Sequence, residues 1–253
     1  MALSNIRRYG TRRDRRDHRD HAYTIPKSLR TPRKVDLRPK CPPVYNQKHL
    51  NSCSANAIAA AIWFDERRHD REATSPSRLF LYYNERAREN VISANDAVEL
   101  RDGYGSVARD GICSERMWPY NVERYRRRPS DHCYEDAKQR RAIWYGRLEP
   151  TLNHFKACLA EGFPFTAAFA VYRSFESREV KRSGVIPLPA PREKHLGGHA
   201  MLVVGYDDAY ERFIVRNSWG PEWGKRGYCF FPYEYVLNSD YGWDFWTVRR
   251  VTK

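Results

Sequence analysis

The sequence predicts an α+β fold in which a helix-rich part is followed by a strand-rich part. Residues 41–143 lean toward helical patterns, whereas residues 144–253 hold short apolar runs separated by polar turns. The chain has 253 residues, of which 41% are hydrophobic, so it is long enough to bury the core of one large domain or of two lobes.

Four helices are predicted, and the first of them begins near Cys53. Alanine is abundant there, and apolar residues such as Ile58 and Ile62 recur at the spacing of one helix face. Asn51 or Ser52 can cap the start of this helix. The other helices are predicted over residues 78–88, 99–110 and 152–161.

Strands are predicted over residues 142–148, 164–171, 199–206, 212–217, 227–232 and 245–251. The polar run 207–211 predicts that the third and fourth of these form a hairpin. In an antiparallel hairpin the start of one strand faces the end of the other. We therefore expect His199 and Asn217 to lie at the same end of the ladder, within reach of each other.

Cys53 is the candidate nucleophile. In the first turn of a helix, free backbone N–H groups and the helix dipole favour an anion, and a cationic imidazole nearby would lower the thiol pKa further. We therefore expect a thiolate at neutral pH. A lone cysteine on an alanine-rich helix is more often a core residue, so the interpretation depends on partner residues elsewhere in the chain.

Those partners are present in the order that a cysteine hydrolase requires. His199 lies 146 residues after Cys53 and Asn217 lies 164 residues after it, supplying a base and an amide that orients it. Gln47, together with the Cys53 backbone N–H, could hold an oxyanion. Trp219 and Trp223 bracket the loop after Asn217, where an indole could exclude water from the His–Asn hydrogen bond.

Several motifs resemble those of the papain-like, or cathepsin-like, cysteine peptidases, and their wording is closest to a bacterial and viral subgroup. The resemblance covers residues 31–253. It is carried by Val35-Asp36-Leu37-Arg38, Pro43-Val44-Tyr45-Asn46-Gln47, Cys53, residues 110–120, Pro164-Phe165, Gly198-His199-Ala200, Val204-Gly205-Tyr206, Asn217-Ser218-Trp219-Gly220, Trp223-Gly224 and Gly227-Tyr228.

The resemblance implies a two-lobe catalytic domain over residues 31–253. A helical lobe (about 41–143) and an antiparallel β-barrel lobe (about 144–253) would then face each other across an active-site cleft. It implies a cysteine endopeptidase that forms an acyl-enzyme on Cys53 and uses no metal or organic cofactor. The implied substrates are proteins or peptides, and we expect a monomer.

The chain also departs from the family pattern. Leu50 replaces a cysteine that usually lies three residues before the nucleophile, and Ser54 replaces the tryptophan that usually follows it. The paired glycines that usually line the substrate groove are not obvious in this sequence. Their expected place is near Asp96, Ala97 and Val98, and the resemblance adds Ala168 and Gly198 to the groove.

Residues 1–30 form a basic N-terminal extension. Residues 1–40 contain 13 Lys/Arg and 4 Asp, which is +9 of the chain's +14. Three interpretations are open: a solubilising tail, a short pro-segment or regulatory arm in the cleft, and a binding segment for a polyanion or a phosphate-bearing ligand. We favour the regulatory arm, because residues 21–34 must pass near the sheet lobe to reach Val35.

The remaining sequence features concern the redox state of the cysteines, the cellular compartment and the alternative functions. Six cysteines without a dense pattern favour reduced thiols. No apolar run approaches a membrane span, and the N-terminus lacks the apolar part of a signal peptide, so we expect synthesis in the cytoplasm and leave non-classical export open. Two alternatives to a peptidase are a transferase or deamidase that uses the same thioester chemistry, and an inactive scaffold that binds polyanions.

Overall fold

The computed structural model describes residues 9–15, 17–69 and 74–251, in which helices precede the main sheet. In chain order the elements are β1 (Thr11–Arg12), β2 (Lys34–Asp36), α1 (Cys53–Arg68), α2 (Arg78–Arg88), β3 (Val98–Glu99), α3 (Leu100–Asp110), α4 (Asp131–Ala137), β4 (Ala142–Arg147), α5 (Leu152–Ala160), β5 (Phe165–Tyr172), α6 (Arg178–Ser183), β6 (His195–Asp207), β7 (Arg212–Arg216), β8 (Tyr228–Pro232), α7 (Tyr233–Leu237) and β9 (Gly242–Val251).

Helix α1 lies at the centre of the molecule. It packs against α2 and α3 on one side and against β5, β6 and β9 on the other. Ile58 and Ile62 are fully buried, and the alanines around them are small enough to let the helix approach both layers closely. The helix therefore fixes its first residue, Cys53, between the helical lobe and the sheet lobe.

The main sheet is antiparallel and has the strand order β4-β9-β5-β6-β7-β8, with β2 paired to β6. This sheet does not close into the barrel that the family resemblance implied. Local segments cover its two outer strands instead. The Tyr23 N–H donates to the carbonyl of Arg147 on β4, and the Ile186 N–H donates to the carbonyl of Phe230 on β8. Because these backbone groups are already hydrogen-bonded, β4 and β8 do not have to pair with each other to satisfy their open edges.

The six predicted strands and four predicted helices are present, with changes at their ends. Strand β6 begins at His195, four residues before the predicted start. The short helices α4, α6 and α7 and the strands β1, β2 and β3, of two or three residues each, were not predicted, since so few residues show no clear periodicity. No helix in the described ranges is long and apolar enough to cross a membrane.

The described residues of the N-terminal extension, 9–15 and 17–30, here called the N-terminal arm, dock on the catalytic domain. Strand β1 of the arm pairs in parallel with β3, and residues 21–23 add to the edge of β4. Residues 1–8 and Arg16 of the extension lie outside the described residues.

Asp14 is the main polar anchor of the N-terminal arm. Its carboxylate is fully buried and accepts hydrogen bonds from Trp246 Nε1 (2.7 Å), from the Arg147 guanidinium (3.0 Å) and from the Arg101 backbone N–H (3.2 Å). Burial, with the nearby Asp244 carboxylate, raises the pKa of Asp14 to about 7. One arm side chain thus bonds to α3 of the helical lobe and to β4 and β9 of the sheet.

Candidate active site

Cys53 is the first residue of α1 and is fully buried. Ser52 occupies the cap position, but its hydroxyl makes no cap hydrogen bond, contrary to the expectation from the sequence. The Ser52 Oγ lies 2.6 Å from the Tyr120 hydroxyl, which donates to the carbonyl of Gln47 (3.0 Å). Ser52 therefore connects the start of α1 to the loop that carries Gln47.

Burial of Cys53 acts against the thiolate that the helix position predicts. Burial raises its pKa to about 11, and the Glu85 carboxyl adds to the shift. The backbone N–H groups of Ala200, Gly10 and Ser54 act on the sulfur in the opposite direction and lower its pKa. The loss of water around the sulfur therefore has a larger effect on the thiol pKa than the position of Cys53 at the start of a helix. Part of that loss comes from the N-terminal arm, because Gly10 belongs to it.

His199 and Asn217 lie where the hairpin geometry predicts them. The His199 Nε2 is 2.8 Å from the Asn217 Oδ1, and both residues are buried. The Ser218 N–H also donates to this oxygen (2.7 Å), so the oxygen end of the amide faces the ring. Nε2 must then carry a hydrogen, and Nδ1 is the nitrogen left on the other side of the ring.

The two tryptophans support the imidazole in different ways. Trp219 stacks on the His199 ring at 4.9 Å and 28°. Trp223 packs edge-on against Trp219 at 5.2 Å and stacks with Phe175 at 5.3 Å. Trp219 thus covers the His–Asn pair, whereas Trp223 holds Trp219 in place from behind.

The side chain of Gln47 is held by two hydrogen bonds. Its Nε2 donates to the Leu50 carbonyl (2.9 Å), and its Oε1 accepts from the Ser218 hydroxyl (2.6 Å). The side chain is almost fully buried. An amide nitrogen carries two hydrogens, so the Leu50 bond leaves one of them free to face an oxyanion.

The predicted groove residues fall into three sets: two contact the N-terminal arm, one lies within the sheet, and two lie beside Val98. Val98 and Gly198 both contact the N-terminal arm. The Val98 carbonyl accepts from the Thr11 hydroxyl (3.2 Å), and a Cβ on Gly198 would lie 2.5 Å from the Thr11 carbonyl oxygen. Ala168 is buried in β5 between Ala200 and Trp243, so it forms part of the sheet.

Asp96 and Ala97 lie beside Val98 in the segment that leads into β3. The Asp96 carbonyl accepts from the Tyr82 hydroxyl (3.3 Å), and its carboxylate accepts from the Ala97 N–H (2.7 Å). Neither residue contacts the arm through a hydrogen bond. The segment is thus braced from the helical lobe, and Val98 presents its backbone to the cleft.

One polar pair beneath Cys53 was missed in the sequence. The Ser54 hydroxyl donates to Glu85 Oε1 (2.7 Å), and Glu85 is fully buried on α2. Glu85 Oε2 is also buried and has no hydrogen-bond partner in the described ranges. Burial raises the pKa of Glu85 to about 8, so its carboxyl is mostly neutral at pH 7. The sequence feature that could have revealed this pair is Ser54 itself, which replaces the tryptophan that usually follows the nucleophile.

The active-site cleft also contains arm residues that sequence patterns do not reveal. Gly10 lies against the Cys53 sulfur, and Tyr9 lies against the rings of His199 and Trp219, each at 6.1 Å between centroids. No group of three or more His, Cys, Asp or Glu residues suited to a metal ion occurs in the described part of the chain.

A two-lobe α+β fold with a thiol, an imidazole and an amide at the cleft defines the class of cysteine hydrolases. Within that class, the family model for papain family cysteine proteases matches residues 31–235, and the chain belongs to this family. It is therefore a papain-like cysteine protease, as the motifs predicted.

The relatives agree with the predicted bacterial and viral subgroup. Xylellain, a cysteine protease from Xylella fastidiosa, has a similar structure, with a TM-score of 0.89, 40% identity and 95% coverage of both chains. An uncharacterized peptidase C1-like protein of Acanthamoeba polyphaga mimivirus is 38% identical over 87% of this chain and 74% of that protein. Human cathepsin L2 is 28% identical over 87% of this chain and 66% of that protein.

Proposed function

We propose that the protein is an endopeptidase in which Cys53, His199 and Asn217 form the catalytic triad. The observation that carries the proposal is the His199–Asn217 hydrogen bond of 2.8 Å. The residue after His199 is Ala200, whose backbone N–H acts on the Cys53 sulfur. This supports placing the proposed base on β6 near the proposed nucleophile at the start of α1.

The geometry supports the following sequence of steps. The Cys53 sulfur gives its proton to His199 and attacks the scissile carbonyl carbon. The resulting oxyanion is held by the Gln47 amide and the Cys53 N–H. His199 then protonates the leaving amine, which leaves a thioester on Cys53, and water attacks the thioester with His199 as base. Asn217 keeps the imidazole ring oriented throughout.

A mass-spectrometric assay tests the triad. The protein and its Cys53→Ala variant are incubated with an unfolded protein in reducing buffer, and every intact mass is followed. We expect cleavage by the native protein alone. Transfer to an added amine without hydrolysis would indicate a transferase instead, and equal cleavage by both proteins would contradict the proposal.

We also propose that the N-terminal arm restrains this activity. Gly10 lies against the Cys53 sulfur, the Thr11 hydroxyl bonds to the Val98 carbonyl, and the Tyr9 ring lies against His199. Because His199 protonates the leaving amine, its side of the cleft should receive the residues that follow a cut. In the arm, however, this side is occupied by Tyr9, which comes before Gly10 in the chain. The arm therefore crosses the cleft in the direction opposite to that of a substrate, and for this reason it should resist cleavage.

Binding of a polyanion by the N-terminal arm receives less support. Arg12 forms an ion pair with Glu89, and the Arg13 guanidinium lies 4.6 Å from the centre of the Trp243 ring. Both cations therefore already have partners on the catalytic domain. Salt-dependent binding of nucleic acid by the Cys53→Ala protein would support the polyanion role as an addition.

A further inference from the structure

Tyr9 fills a pocket on the leaving-group side of the cleft. Its ring contacts His199 and Trp219, and its hydroxyl donates to Glu176 Oε1 at 2.5 Å. Gly197 forms the floor, because a Cβ there would lie 2.8 Å from the Tyr9 Cβ. The pocket thus accepts a long side chain past an aromatic wall and ends at a carboxylate.

Glu176 is held in place by the backbone around it. It ends a short 3-10 turn over residues 173–176. The Glu193 carboxylate accepts from the Ser174 N–H within this turn and from the Ala190 N–H (2.9 Å), and Phe175 packs on Trp219 and Trp223, each at 5.3 Å. The carboxylate of Glu176 is therefore presented from a fixed turn beside the proposed catalytic imidazole.

The Glu176 carboxylate has no cationic partner among the described residues. Among the described residues, no Lys, Arg or His nitrogen lies within 4.0 Å of its carboxylate, and its hydrogen-bond donor is Tyr9 of the arm. The neighbouring acid Glu179, by contrast, is paired with Arg182 at 2.9 Å. When the arm leaves, a half-buried carboxylate without a cation therefore faces the cleft.

We propose that Glu176 is a specificity-determining residue, which favours peptides with lysine, arginine or tyrosine directly after the scissile bond. This proposal rests on the proposed peptidase function. Each of these side chains has an apolar stem long enough to pass Trp219 and a tip that donates to a carboxylate. An acidic residue at the same position would meet Glu176 as a like charge.

The test is a competition between paired peptides in one tube. The peptides are identical except for the residue after the cut, which is lysine in one and glutamate in the other. The ratio of their kcat/KM values does not depend on how much of the full-length protein has its arm displaced. We expect a preference for lysine of about tenfold in low salt, which falls as the salt concentration rises.

Three variants make the result specific. Glu176→Gln should bring the ratio close to one, and Glu176→Lys should invert it, whereas the paired acid in Glu179→Gln should leave the ratio unchanged. An equal ratio in the native protein and all Glu176 variants would overturn the proposal, even if those variants become more active because the arm is held less tightly. Cleavage of neither peptide by the native protein or by either Glu176 variant, in which the carboxylate that accepts from Tyr9 is removed, would instead count against the peptidase function.

Discussion

At the scale of single residues, the polar groups near Cys53 depend on burial more than on their position in a helix. Cys53 occupies a helix start, yet the loss of water raises the pKa of its thiol. Glu85 is also fully buried, and its one described hydrogen bond comes from Ser54. The ionised forms of both groups are therefore disfavoured in the folded protein.

Glu85 should make the free energy of unfolding depend on pH. Its pKa rises from 4.5 to about 8 on folding. The folded state therefore keeps a proton that the unfolded state loses, so this stabilisation is complete below pH 4.5 and is lost as the pH rises through 8. Glu85→Gln keeps a neutral side chain, so we expect the variant to gain stability over the native protein as the pH rises.

Denaturant unfolding of both proteins at several pH values measures this difference. A slope of up to about 1.4 kcal/mol per pH unit is expected between the two limits. Ser54→Ala is the matched control, because it removes the hydroxyl but leaves the carboxyl in place. A stability difference that does not change with pH would mean that Glu85 is already ionised in the folded protein.

At the scale of structural elements, docking of the N-terminal arm depends on Gly10, which has no side chain. Gly10 is buried, and a Cβ there would lie 2.2 Å from the Asn51 carbonyl oxygen and 2.5 Å from the Asn51 Cβ. The backbone of Asn51 cannot move freely, since it immediately precedes α1 and its N–H donates to Asn95 (2.8 Å). Any larger residue at position 10 should therefore displace the arm.

Gly10→Ala should raise peptidase activity several-fold and expose the Cys53 thiol. With water readmitted, the thiol pKa should fall, so alkylation of Cys53 should reach its half-maximal rate at a lower pH than in the native protein. Peptide mapping after iodoacetamide treatment separates Cys53 from the other five cysteines. Gly105→Ala is a useful control, because a Cβ there meets only the flexible end of Arg88. Unchanged activity and alkylation would show that the arm does not restrain the site.

At the scale of the whole molecule, Asp14 connects the arm to both lobes. Its carboxylate bonds to Arg101 on α3, to Arg147 on β4 and to Trp246 on β9. Docking raises its pKa from 3.8 to about 7, so this carboxyl favours docking most strongly below pH 3.8 and loses that contribution as the pH rises through 7. The arm should therefore be held more weakly at pH 8 than at pH 5.

Asp14→Asn removes the titration and keeps a polar side chain of the same size. The activity of the native protein divided by that of Asp14→Asn should rise between pH 5 and pH 8, because titration of the catalytic groups affects both proteins and cancels in the ratio. Peptide hydrolysis at matched ionic strength measures this ratio. A flat or falling ratio would show that Asp14 does not control docking of the arm.

Much of the fold could be predicted from periodicity and spacing. The start of α1 at Cys53 follows from its alanine-rich pattern, and the contact between His199 and Asn217 follows from the hairpin register. The arm's two-residue strand β1 could not be predicted, since two residues carry no period, and its partner β3 lies 87 residues away.

The family, the order of the thiol, the imidazole and the amide, and the helix and strands that carry them could all be predicted from local sequence patterns. Which groups lose their water depends on the three-dimensional packing. Burial of Cys53 beneath Gly10, of Glu85 beneath α1 and of Asp14 between the lobes depends on segments that are distant in the chain. The free energy of an ionised group depends on the solvent and charges around it in space, and the spacing of residues along the chain does not record them.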